Sequence, residues 1–452
     1  CGNSECQYAQ GYYDRIHDAV RDLLARRAMT PDTIAAVAHD HRVCPFELSL
    51  DAARWADVII GDYNYVFDPL VRLQRFADDQ DMALLVDESH QLSARAQDML
   101  SLELPRSLVR AALAEAIPEA LARRLRAVDR QLRNIKTAVA GEPEIVPEPA
   151  GLIAAIQRLV ETLGVTEVDL AAFPQTQEAC FECVRWARSR SWYEPETCIY
   201  VARVQRQRRG AVNARLRLVH LDPGAYLAHV LAGYAGHIRF SGTVSPLSLY
   251  QRLHGLPNAP AERAGSPFAP SQLAVCIVDD VPTLYRQRSA GLPALAQLIS
   301  QVASSRAGNY LVAFPSFEYL NACAEVLRRM CPQLALLAQA PDMSADDKAQ
   351  FLAELQQTET PLVAMVVLGG VFAESVDLAE QGATTLTGVI CVGTGLPPPS
   401  VEREAMARYF NQAGEDGAAI AYRQPAMNKV LQVAGRLLRD PGDRGVLVLV
   451  PE

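Results

Sequence analysis

The sequence predicts an α/β protein built on parallel sheet. Apolar runs of strand length alternate with amphipathic helical stretches through the last third of the chain, the pattern of parallel strands covered on both faces. Half of the 452 residues are apolar and 21% are charged, which fits a packed chain and excludes disorder or a fibrous repeat. At roughly 150 residues per domain the length suggests about three domains.

From the N-terminus, a helix is predicted over Tyr12–Arg27, between Cys1 and Cys6 on one side and Cys44 on the other. An amphipathic segment at Leu48–Trp55 and a strand at Val58–Ile60 come next. Met82–Val86 is a short apolar run ending in acids, which reads as a buried strand. Residues 96–195 are rich in Ala, Leu and Arg at helical spacing and read as a helical insertion, broken at the Pro/Glu-rich Glu142–Pro149. Strands are expected at Cys198–Val204, Leu216–Leu221 and His237–Phe240. Beyond them the expected strands are Tyr310–Phe314, Leu334–Leu337, Leu362–Leu368, Gly388–Val392 and Val446–Val450. The expected helices there are Phe317–Arg329 (capped by Ser316), Ala345–Gln356, Val401–Phe410 and Ala426–Leu438.

Composition narrows the function. Ten cysteines are too few and too scattered for a disulfide scaffold. The start, Cys1 to Cys6, has neither the basic nor the apolar region of a signal peptide, so paired cysteines point to a metal. No run approaches ~18 apolar residues, so no membrane helix is expected. The net charge of −9 argues against a uniformly basic nucleic-acid coat but leaves room for a local basic groove. The chain opens without Met and closes on an apolar strand, so both ends are expected to be incomplete.

Four segments carry the chemistry. Asp87-Glu88-Ser89-His90 follows a strand, and ligands bind at the carboxyl ends of parallel strands. There one carboxylate can hold Mg²⁺ while its neighbour orients a water; a solvated turn is the plain alternative. Gln432, Arg436 and Arg439 fall at i, i+4 and i+7, one helical face, and could clamp phosphates; an ordinary wet arginine face is the alternative. Ser241-Gly242-Thr243 can bridge acids from a neighbouring strand. Gly369-Gly370 and Glu374 to Asp377 follow another strand, and glycine there allows close backbone approach.

In order and spacing these segments resemble the iron–sulfur DNA helicases of superfamily two, the XPD and DinG group. Asp87 to His90 is similar to that family's DEAH-type motif II with Ser for Ala, and Ser241 to Pro246 to motif III. Gly308 to Ser316 resembles motif IV. Glu374-Ser375-Val376-Asp377 resembles motif V, with Ser375 where the family has Gly, and Gln432 to Arg439 resembles motif VI. Asp62-Tyr63-Asn64-Tyr65 and Leu396 to Pro399 match further segments.

The resemblance implies two RecA-like doubly wound motor domains, a helical arch insertion and a partial iron–sulfur domain. The expected boundaries are 1–45 for the cluster domain, 46–95 and 197–258 for the first motor, 96–196 for the arch and 259–452 for the second motor. It implies ATP and Mg²⁺, with Asp87 on the metal, Glu88 activating water and His90 coupling the site onward. Arg436 and Arg439 would read the γ-phosphate beside Gln432, and Gly370, Glu374 and Asp377 would lie at the nucleotide. Cys1, Cys6 and Cys44 would ligate a 4Fe–4S cluster whose remaining ligand lies upstream; a Cys₄ zinc site is the alternative.

The expected partners are single-stranded and forked DNA, gripped by backbone attraction and stacking. The candidate contacts are Arg203, Arg206, Arg208, Arg209, Arg215 and Arg217 near Trp192, Tyr193 and Tyr200, together with Tyr63 and Tyr65. The protein is expected to be a cytoplasmic, nucleoid-associated bacterial monomer, translocating 5′ to 3′ in repair or replication. No Gly-x-x-x-x-Gly-Lys-Ser/Thr loop occurs in the sequence, so this chain alone is expected to hydrolyse ATP negligibly. The rivals are a DNA-binding scaffold without ATPase activity and a nuclease whose catalytic domain lies elsewhere.

Overall fold

A computed structural model describes residues 6–76, 81–166, 168–206, 212–356, 362–374, 379–380, 383–384 and 386–451. The chain divides into two compact units. One gathers Cys1–Leu84, Gln91–Ile238 and Leu253–Gly255; the other gathers Leu85–His90, Arg239–Arg252 and Leu256–Glu452.

The first unit begins with three helices, Tyr12–Leu24, Pro31–His41 and Pro45–Ala53, closed around Ile16, Leu23, Val37, Val43 and Leu48. Thr30 caps the second helix by accepting the Thr33 N–H at 3.3 Å, and Pro31 supplies a helix-ready φ at its first position. The strand expected at Val58–Ile60 does not form. These residues have no ladder partner among the described residues, and Ile60 is 95% exposed.

The insertion that follows is not purely helical. Helices Arg106–Ala112, Glu119–Asn134, Ala150–Val165 and Pro174–Ser189 pack on a four-stranded antiparallel sheet. Its order is Leu102–Pro105, Val212–His220, Cys198–Arg206, Pro143–Val146. Alternation turns Tyr200, Ala202, Leu216 and Leu218 into the same core as Leu121, Leu125 and Leu159. Strands 198–206 and 212–220 therefore share a core with the arch helices.

The second unit is a six-stranded parallel sheet in the order Leu273–Ile277, Gly445–Val450, Leu386–Val392, Asn309–Phe314, Leu362–Val367, Ala335–Ala338. Alternate residues feed two cores. Tyr310, Val312, Phe314 and Met365 meet helices Arg288–Ser305 and Phe317–Met330, while Leu311, Ala313, Ala364 and Val366 meet Phe351, Val430 and Val433 on the other face. The central strands are buried on both faces, which is why they read as unbroken apolar runs. The edge strand Leu273–Ile277 and the helix Arg288–Ser305 were not expected. The strand is mostly exposed, and Pro293 interrupts the helix signal.

Ala83–Val86 and Gly236–Arg239 form a separate two-stranded pair. Phe240 N donates to Val86 O at 3.0 Å and Ser89 N to Phe240 O at 3.1 Å, so the acids after one strand lie level with the serine after the other.

Candidate active site

The site is built at the ends of those two strands. Glu88 adopts φ +46°, the left-handed region that non-glycine residues rarely enter. In this turn Asp87 Oδ1 accepts the Glu88 N–H at 2.7 Å. Glu88 Oε2 accepts the Ser241 hydroxyl at 2.8 Å and lies 3.2 Å from His90 Nδ1. Ser241 Oγ is also 2.9 Å from His90 Nδ1 and accepts the Thr243 N–H at 3.2 Å.

His90 is buried, and its far nitrogen, Nε2, lies 3.0 Å from the Gln432 amide nitrogen. Burial holds its pKa below the ordinary histidine value, opposed by the Glu88 carboxylate. A neutral imidazole has one donor and one acceptor. The Gln432 amide can only donate, so Nε2 accepts and Nδ1–H points to Ser241 and Glu88. One directed chain thus runs from Gln432 through His90 to Ser241 and Glu88, within a single compact unit.

The second half of the expected clamp differs from its sequence reading. The helix Gln424–Ala434 stops at Gly435, where the bonds tighten to Arg436 N→Val433 O and Leu437 N→Ala434 O, both 3.1 Å. Gln432, Arg436 and Arg439 therefore do not share one helical face. Arg436 is buried and its Nε donates to Ala373 O at 3.3 Å; Arg439 is exposed in the following turn, its N–H held by Asp443 at 2.8 Å. The structure joins Gln432 to His90 directly, and His90 to Glu88 both directly and through Ser241. It ties Arg436 instead to the segment after strand Leu362–Val367.

That segment borders a cleft of about 510 Å³ at the carboxyl ends of three parallel strands, lined by Phe317, Gln339, Asp342, Lys348, Gly369 and Gly370. Gly369 needs its left-handed φ of +80°, and a Cβ on Gly370 would press on Val367 O and the Gln339 amide. Gln339, which the sequence reading missed, closes the strand end by accepting the Val367 N–H at 3.0 Å. Asp377 lies outside the described residues, as does the side chain of Glu374.

A second missed group ties the same helix to the segment after Ser241. Tyr250 Oη accepts from Asn428 Nδ2 at 2.7 Å and from Gln424 Nε2 at 3.2 Å, and Gln424 also donates to Ser245 O at 2.8 Å. Gln424 and Asn428 stand at helical spacing, but their partner is 174 and 178 residues away, beyond the reach of a local pattern.

Cys6 and Cys44 are half-buried free thiols by the N-terminal helices; Cys1 lies outside the described residues. A four-thiolate cluster is not assembled from the described residues, among which no set of three or more metal-ligating side chains converges. Cys180 and Cys183 sit inside the arch core, where burial raises both thiols, Cys180 to about 11.

Of the expected DNA contacts, Arg208 and Arg209 and the side chain of Arg206 lie outside the described residues. Tyr63 packs edge-on against Phe67 at 6.1 Å, and Tyr65 is half-buried against Gly61. Trp192 and Tyr193 turn to Tyr226 and Tyr200. Among the described residues no helix is long and apolar enough to cross a membrane.

The site thus consists of polar groups at strand ends, with Glu88 linked through His90 to the distant Gln432. Family comparisons make this specific. The family model described as DEAD_2 matches residues 2–109, and that of a helicase C-terminal domain matches residues 299–452. Together they cover more than half of the chain.

The ATP-dependent DNA helicase XPD of Sulfolobus acidocaldarius is 23% identical over 213 residues, 46% of this chain and 37% of that protein. The regulator of telomere elongation helicase 1 homologue of Anopheles gambiae is 20% identical over 543 residues, 97% of this chain and 54% of that protein. A solved XPD helicase aligns with a TM-score of 0.57 at 18% identity, covering 99% of this chain and 81% of that one. The S. tokodaii Xpd structure aligns at 0.53 and 14%, covering 98% and 95%. The chain belongs to the XPD/DinG-like superfamily 2 helicases, a family of ATP-dependent helicases with two RecA-like domains. Its matches span between about a third and just over half of these curated relatives.

Proposed function

We propose that the chain supplies the larger part of the motor of an ATP-dependent DNA helicase. It would track single-stranded DNA 5′ to 3′ and open duplexes and forks in repair or replication, acting as a monomer. The observation that carries this reading is the hydrogen-bonded chain from Gln432 through His90 and Ser241 to Glu88. Such a chain makes the position of a carboxylate depend, through His90, on a residue 342 positions from that histidine, which is what coupling hydrolysis to movement requires.

Glu88 is proposed as the group that orients the attacking water and takes its proton, with Ser241 fixing the carboxylate. Asp87 offers the hard oxygen ligand that suits Mg²⁺, which when bound offsets phosphate charge. Arg436 and Arg439 would meet the γ-phosphate, and Gly370, Glu374 and Asp377 would flank the nucleotide. We assign residues 259–452 to the second motor domain and extend the arch to about 220. Cys1, Cys6 and Cys44 are proposed as thiolates of a 4Fe–4S cluster; iron and acid-labile sulfide in the full-length protein, lost in Cys44→Ser, would support it.

The decisive measurement is Glu88→Gln in the full-length protein. ATP hydrolysis should fall by at least ~100-fold, the usual scale for losing a general base, while DNA binding is kept. Retained hydrolysis would remove Glu88 from this role.

A further inference from the structure

The helix Gln424–Ala434 buries Ala426, Val430 and Val433. Its amide side chains take another side: Gln424, Asn428 and Gln432 stand at i, i+4 and i+8, within an arc of about 80°. All three bond to residues far back in the chain, inside the same compact unit. Gln432 meets His90, Asn428 meets Tyr250, and Gln424 meets both Tyr250 and the Ser245 carbonyl. The bond that leads to Glu88 is therefore the last rung of a ladder along one helix face.

The rungs before it are arranged to hold position. Tyr250 is 3% exposed, and its phenol oxygen takes two amide donors, at 2.7 and 3.2 Å. Gln424 Nε2 also reaches Asn428 Oδ1 at 3.0 Å, so the two amides brace each other. The group carries no charge at neutral pH; burial raises the phenol above its ordinary value, against the pull of both amides. The helix is entered from a π-turn, Ala419–Arg423, a wide form frequent at functional sites. Pro425 has no N–H to offer the Ala421 carbonyl, which accepts from Arg403 Nη1 at 2.8 Å. Side chains from outside the helix thus fix where it begins.

From Gln424 to Gln432 the helix rises about 12 Å. A slip of one residue at its start moves Gln432 by about 1.5 Å and turns it by about 100°, enough to break its 3.0 Å bond to His90. We infer that Tyr250 is a positioning residue: by clamping Gln424 and Asn428 it sets the register in which Gln432 meets His90, and through His90 the placement of Glu88. The inference rests on the reading that this hydrogen-bonded chain serves hydrolysis.

The test is a double-mutant cycle in the full-length protein: Tyr250→Phe, Gln432→Ala and the two together. Tyr250→Phe takes the shared oxygen from both amides. Its kcat for ATP should fall about three- to tenfold, the scale of one net hydrogen bond, with KM for ATP unchanged. Added to Gln432→Ala, it should lower kcat by less than about a further twofold, because the bond whose register it sets is already gone. A residue that only supports the fold would lower both backgrounds by the same factor, and that result overturns the inference. Asn428→Ala, at a half-buried position, should repeat the pattern and carries the test if Tyr250→Phe does not fold. A second readout needs no hydrolysis. At about pH 8, where an imidazole is neutral, the ring-proton resonances of His90 should move in Tyr250→Phe toward their positions in Gln432→Ala. Resonances that stay in place overturn the inference even if kcat falls. If Glu88→Gln keeps hydrolysis, the role of Glu88 fails while the His90 resonances still judge the clamp. If Glu88→Gln abolishes hydrolysis and the cycle is multiplicative, the clamp alone fails.

Discussion

Two buried histidines, one in each compact unit, show how burial and partnership divide the control of a proton. His220 lies in the arch sheet with Cys198 Sγ 3.3 Å from its Nδ1, and burial alone drives its pKa down to about 4. His90 is also buried, yet the Glu88 carboxylate 3.2 Å away opposes the same desolvation, so the two influences pull against each other. In the arch the imidazole is fixed neutral and serves packing. At the candidate site it is neutral but poised, with a carboxylate on one nitrogen and an amide on the other.

The largest expected effect sits on the structural histidine. The folded pKa of His220 lies below the unfolded value of ~6.5, so the unfolded chain takes up the proton first. Its share of stability is complete above pH ~6.5 and is lost as pH falls toward 4, a drop of about 3 kcal/mol at ~1.4 kcal/mol per unit. Denaturant unfolding of the chain between pH 7 and 4 should show this loss, and His220→Gln should flatten it. An equally steep curve in the variant would mean that other groups carry it.

A smaller effect is expected at the wired histidine's neighbour. Ser241 donates to Glu88 and faces His90 Nδ1, so Ser241→Ala removes the hydroxyl that fixes the carboxylate and leaves only its direct 3.2 Å approach to the imidazole. Glu88 is more than half exposed, so water replaces part of what is lost. We expect hydrolysis by the full-length protein to fall about tenfold, equivalent to ~1.4 kcal/mol, mainly in kcat. A change confined to KM would place Ser241 in binding rather than in positioning Glu88.

How much of this was legible in the sequence follows the same division between local and distant causes. Strands such as Leu362–Val367 and Asn309–Phe314 announced themselves because both faces are buried and the run is continuous. Leu273–Ile277 stayed hidden at a solvent-facing edge; of the arch sheet, the two long strands were expected at Cys198–Val204 and Leu216–Leu221, while the short Leu102–Pro105 and Pro143–Val146 stayed hidden among helices that dominate the pattern. Asp87, Glu88 and His90 were marked by their place after a strand. The helical face drawn through Gln432, Arg436 and Arg439 failed at Gly435, where the helix stops. The bond from Gln432 to His90 spans 342 residues, and no spacing rule reaches that far.

The finest test of the comparison separates burial from charge at His90 itself. Glu88→Gln leaves the imidazole buried but removes the carboxylate that raises its pKa, so desolvation is left with less opposition. The titration midpoint of His90, followed by the NMR shift of its ring protons, should therefore move down in Glu88→Gln, toward the behaviour of His220. Gln432→Ala should not lower the midpoint, because it removes a donor to the lone pair of Nε2, a bond that favours the neutral imidazole. A midpoint that stays where it was in Glu88→Gln would show that the carboxylate and the imidazole are not electrostatically linked. The contrast between the two histidines would then reduce to depth of burial alone.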